Sequence, residues 1–128
     1  MNITAVTFYF DLNSEYYTSI VNDFNKYAEE NNKDIHVDIT VLTGDTVGVS
    51  VVNYGEMIEA SLKKNKYDIY FYENGFISVY APYLLNLKDY VSKDIIDKYD
   101  PKLLYDLCQV DDKLIGLVTI DTKKKNIF

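Results

Sequence analysis

The sequence has no tryptophan and no arginine, and only one cysteine, one histidine, two prolines and five glycines among its 128 residues. Each shortage excludes something. A single cysteine, Cys108, forbids an internal disulfide and any cysteine-rich metal site. A single histidine, His36, rules out a multi-histidine metal site and leaves little room for imidazole acid–base chemistry. Without arginine there is no guanidinium fork for bidentate capture of carboxylate or phosphate. No apolar run approaches the ~18–20 residues that a membrane-spanning helix needs, so no direct membrane insertion is expected. No Gly-rich phosphate loop follows the first apolar segment, so nucleotide binding lacks its usual cradle. The opening MNITAVTFYF carries no basic leader and no small-residue cleavage site. It reads as a strand, and a chain without a signal peptide is expected.

What is present is acid and tyrosine. Twenty acidic residues against 13 lysines give a net charge of -7, which repels phosphate backbones and argues against nucleic-acid partners. Hydrophobic residues make up 48% and charged residues 26%, the balance of a folded globular chain of one-domain size. Thirteen tyrosines and six phenylalanines supply apolar faces with hydroxyl handles, a composition suited to sugar or peptide surfaces as well as to cores.

Local patterns predict the elements. Residues 3–10 are β-branched and aromatic, as in a strand covered on both faces. Over 15–32, Tyr16, Tyr17, Ile20, Val21, Phe24, Tyr27 and Ala28 recur at helical spacing and predict the buried stripe of a helix. Asn22, Asn25, Lys26, Glu29 and Glu30 fall to the outer face in that reading. Residues 34–41 alternate strictly, with Ile35, Val37, Ile39 and Val41 on one side, which predicts a half-buried edge strand. Residues 46–52 are ambiguous; Asn53 and Glu56 look like a capping pair for a helix carrying Tyr54, Met57, Ile58 and Leu62. Residues 67–72 predict a third strand. Residues 76–91 predict a short helix, an irregular crossing and a further helical turn. Asp100-Pro101 starts a helix with Leu103, Leu104, Leu107 and Cys108 inside. Asp111-Asp112 then turns into a last strand over 113–120. This alternation predicts an α/β fold, a three-layer α/β/α sandwich with a mainly parallel sheet in order 2-1-3.

Ligands of open α/β sheets sit at the carboxyl ends of the strands. Those ends carry Phe10, Asp11 and Asn13; Asp45; Tyr72, Glu73 and Asn74; and Thr119, Asp121 and Thr122. Carboxylates and amides hydrogen-bond hydroxyls and aromatic rings cover an apolar ring face, so the set suits a neutral polyhydroxylated ligand. The same residues are also ordinary turn chemistry. A receiver domain of a signalling system has this length and acidity. It needs a phospho-acceptor aspartate at the end of its third strand, whereas Asp68 opens that strand. Asp34, His36 and Asp38 share one strand face, where a solvated edge is the simpler reading than a metal site. Nothing singles out a carboxylate pair for glycoside hydrolysis. Asn2-Ile3-Thr4 matches a glycosylation sequon that an Asn-rich chain produces by chance, and Lys123–Lys125 reads as a solvated turn. The residues predict no catalysis, no metal and no cofactor.

Taken in order, ITAVTFYF, SEYYTSIVNDFNKYAEEN, IHVDITVLTG, YDIYFYENGFISVYAPYLLNLKDYV and VDDKLIGLVTIDT span nearly the whole chain. Together they resemble the N-terminal lobe of extracellular (periplasmic-type) solute-binding proteins, in the sugar-binding group that includes maltose-binding protein. Val118 stands where that family commonly has proline, and Asp112 where it often has glycine. The resemblance implies one lobe of a type II periplasmic binding protein over 1–128. It implies a sugar or oligosaccharide ligand facing Phe10, Asp11, Asn13, Asp45, Tyr72, Glu73 and Asn74. It also implies a hinge at Thr119, Asp121 and Thr122, a missing second lobe, a membrane transporter or receptor as partner, and an extracytoplasmic location. The alternative is a small α/β signalling or protein-interaction domain of receiver-like type, which shares only the layer pattern.

Overall fold

A computed structural model describes residues 1–9, 15–43, 54–72 and 74–118. The chain divides into two compact units, Met1–Tyr72 and Glu73–Phe128.

The first unit is a small parallel α/β sheet. Its elements are β1 (Asn2–Tyr9), α1 (Glu15–Glu30), β2 (His36–Thr43), α2 (Tyr54–Lys63) and β3 (Ile69–Phe71). The order is β2-β1-β3 with both pairings parallel, as the alternation of strands and helices predicts. β1 and β2 pair along their full length, from Asn2 opposite His36 to Tyr9 opposite Thr43. Ala5, Val6 and Thr7 in the middle of β1, the central strand, are buried. β2 lies at an edge, with Val37 buried and His36, Asp38 and Thr40 exposed, as its alternation requires. Ala5 and Val37 meet Val21 of α1, and Ile3, Ile39 and Phe71 pack around them. In α2, Ile58 and Leu62 are buried.

The buried face of α1 differs from the expected stripe. Val21 and Ala28 are buried, whereas Phe24 is 38% and Tyr27 52% exposed. Asn25, expected on the outer face, turns inward. Its Nδ2 donates to the Val37 carbonyl at 2.9 Å and its Oδ1 accepts from the Val37 N–H at 2.8 Å. The reason is geometric. Val21, Asn25 and Ala28 are spaced four and three apart and share a face, while Phe24 and Tyr27 lie about 60° and 120° round from Val21 at 3.6 residues per turn. An edge strand also leaves backbone groups without ladder partners, and Asn25 fills that need at Val37.

β3 is shorter than the predicted 67–72. Its amino end is closed by a side chain: the Thr4 N–H and Oγ1 both donate to Asp68 Oδ2, at 2.8 and 2.9 Å, while the Asp68 N–H donates to the Thr4 carbonyl at 2.9 Å. The carboxylate takes the Thr4 N–H, which a longer ladder would have given to a backbone carbonyl. These bonds from the Thr4 backbone and hydroxyl hold the Asp68 carboxyl below its ordinary pKa.

The second unit is built from short turns. Two 3₁₀ turns, Asn74–Phe76 and Ala81–Tyr83, flank α3 (Ile77–Tyr80), and a third spans Leu87–Asp89. α4 (Lys93–Ile96) and α5 (Pro101–Cys108) follow. Asp100 caps α5, accepting from the Lys102 and Leu103 N–H groups at 2.8 and 3.2 Å, with Pro101 in the first turn as the sequence predicts. The predicted last strand over 113–120 is a correction: β4 (Gln109–Val110) and β5 (Lys113–Leu114) pair antiparallel as a two-residue hairpin, and residues 115–118 are not strand. Asp111 takes a left-handed φ of 53° there, which turns the chain back on itself instead of across to a parallel neighbour. Leu104, Cys108 and Leu114 form the core, packed by Leu87, Ile96, Leu107 and Leu117.

Three changes test these assignments. Asn25→Ala strips two hydrogen bonds from the β2 edge and is expected to cost about 1–3 kcal/mol in urea unfolding; unchanged stability would overturn the edge-closing role. Thr7 is 1% exposed and its hydroxyl has no hydrogen-bond partner among the described residues, so Thr7→Val removes an unpaired buried group at equal volume. That variant should be more stable by about 0.5–1.5 kcal/mol. Asp68 adds a pH dependence. A carboxyl with a lowered folded pKa stabilises above its unfolded pKa of about 4, and the effect fades as pH falls through the folded value. Asp68→Asn should therefore be less stable than the wild type at pH 7, with the difference closing in acid; a gap constant with pH would reject the carboxylate as its source.

Candidate functional site

Parallel pairing puts the carboxyl ends of β1, β2 and β3 on one side of the sheet. Tyr9 and Thr43 are register partners, and Phe71 pairs with Thr7, so β3 stops two residues short of that level. Two residues of strand are about 7 Å. The segments after the strands thus start close together, whatever path each follows.

Of the ten residues expected at the site or hinge, eight lie outside the described residues: Phe10, Asp11, Asn13, Asp45, Glu73, Thr119, Asp121 and Thr122. Tyr72 directly follows β3 and is half-buried. Asn74 opens the first 3₁₀ turn of the second unit. In that turn a Cβ at Gly75 would meet no atom within 4 Å, so packing does not demand glycine there.

The aromatic ring the structure brings to this side of the first unit is one that strand-end reasoning passed over. Tyr17, in the first turn of α1, packs on Phe71 with ring centroids 4.7 Å apart and planes at 36°. Tyr16 meets Tyr17 edge-on at 5.2 Å. These three rings form a wall between the start of α1 and the end of β3, in the tilted and edge-to-face arrangements that ring quadrupoles favour. The signal was available in the sequence: a helix that follows a parallel strand starts at the strand's carboxyl side, so its first-turn aromatics belong to that end.

Other candidates settle into structural roles. His36 Nε2 lies 3.4 Å from Asp38 Oδ1 on the outer face of β2, both more than half exposed, while Asp34 pairs with the terminal ammonium at 3.2 Å. No group of three metal-ligating side chains forms among the described residues. The Asn2-Ile3-Thr4 sequon lies within β1, and the Thr4 hydroxyl it would need is bonded to Asp68. In the second unit the segment after α3 and the β5 arm are tied to each other. Asn86 Oδ1 accepts from the Lys88 and Leu114 N–H groups, each at 3.2 Å, and Lys113 Nζ donates to the Ala81 carbonyl at 2.8 Å.

Cys108 is 4% exposed, and burial pushes its thiol pKa up. The thiolate is the reactive form, so burial in the core and a raised pKa both slow the chemistry of this thiol. Alkylation by iodoacetamide at pH 8 should be at least about tenfold slower in the folded protein than in urea; equal rates would show that the α5–β5 core opens readily.

A scan against protein-family models finds no match for this chain, and searches of curated proteins and of solved structures find none either.

Proposed function

We propose that the chain is a non-enzymatic solute-binding module for a neutral polyhydroxylated ligand, a carbohydrate. In this reading it forms a three-layer α/β/α lobe of the kind found in extracellular solute-binding proteins. The observation that carries the reading is the shared side of the three parallel strand ends, with Tyr9 and Thr43 level and Phe71 just short of them. Asp11 and Asn13, Asp45, and Glu73 and Asn74 follow those ends in the chain and supply acceptors and donors for hydroxyl groups. The aromatic wall of Tyr16, Tyr17 and Phe71 adds apolar surface on the same side of the sheet. A second lobe, a transporter or receptor partner and an extracytoplasmic setting belong to this proposal. A receiver-type reading needs a phospho-acceptor aspartate where β3 ends at Phe71, and Asp68, just before its start, is held by Thr4.

The test is a titration of the isotopically labelled 128-residue chain with neutral mono- and oligosaccharides, followed by amide chemical shifts. Saturable shifts confined to residues 10–17, 43–46 and 71–75 are expected. One lobe encloses only part of a ligand, so the dissociation constant should be in the millimolar range, about 4 kcal/mol of binding. Asp11→Asn and Glu73→Gln should each weaken binding by about 1–3 kcal/mol, which removes saturation from the accessible range. Shifts centred elsewhere, or variants that titrate like the wild type, would reject this site. No saccharide response at all would reject the ligand class.

A further inference from the structure

We draw no further inference here: the strongest candidate, the outer stripe of α1 carrying the exposed rings of Phe24 and Tyr27, is an unpartnered apolar helix face, and nothing in the structure shows what covers it.

Discussion

The first unit depends on the parallel pairing of β1 with both of its neighbours. Parallel strands cannot be joined by a tight turn, so each pairing requires a long crossover, and here α1 lies in one crossover and α2 in the other. β1 is the central strand, and its Ala5 and Val6 side chains are fully buried apolar groups. Thr7 is the exception, a hydroxyl in a place that suits a methyl group. The same pairing fixes which ends of the three strands come together.

A sheet of three strands has two edges, and the side chain that hydrophobic patterning misplaced serves the β2 edge. Asn25 is polar and was sorted to the solvent side of α1, yet it meets the outward backbone groups of Val37. Asp68 opens the third strand and could pass for a site carboxylate, yet it is spent on Thr4. The demand for these side chains comes from backbone groups left without ladder partners. That demand arises only when strand neighbours are known, and no periodicity along one segment carries it.

The parts that were legible are those in which one local pattern decides the outcome. The strict alternation of 34–41 marked β2 as an edge, and Asp100-Pro101 marked the start of α5 by cap chemistry alone. The order β2-β1-β3 followed from right-handed crossovers combined with that one edge assignment. The run 113–120 was not legible, because apolar residues after a turn suit either a sheet strand or a hairpin arm. The left-handed Asp111 decided for the hairpin in β4–β5. Of the candidate site, the common side of the strand ends could be read from topology, while the Tyr17–Phe71 contact needed the register of β3 against β1.

The two units satisfy their backbones by different means, and this bears on where binding chemistry can reside. The first does so mainly through ladders, with side-chain closure at the Val37 position of β2 and the Thr4–Asp68 end of β3. Among its described residues the second has only a two-residue hairpin, and it relies on side chains such as Asn86, Lys113 and Asp100 to hold its turns. Asn86, Lys113 and Asp100 are therefore committed to scaffolding in the second unit, as Asp68 and Asn25 are in the first. A carboxylate or amide already holding backbone N–H groups gives up its fold contacts if it turns to a ligand. Within the first unit, parallel pairing thus sets the side on which its strands end, and Asp68 at the opposite end is committed to Thr4.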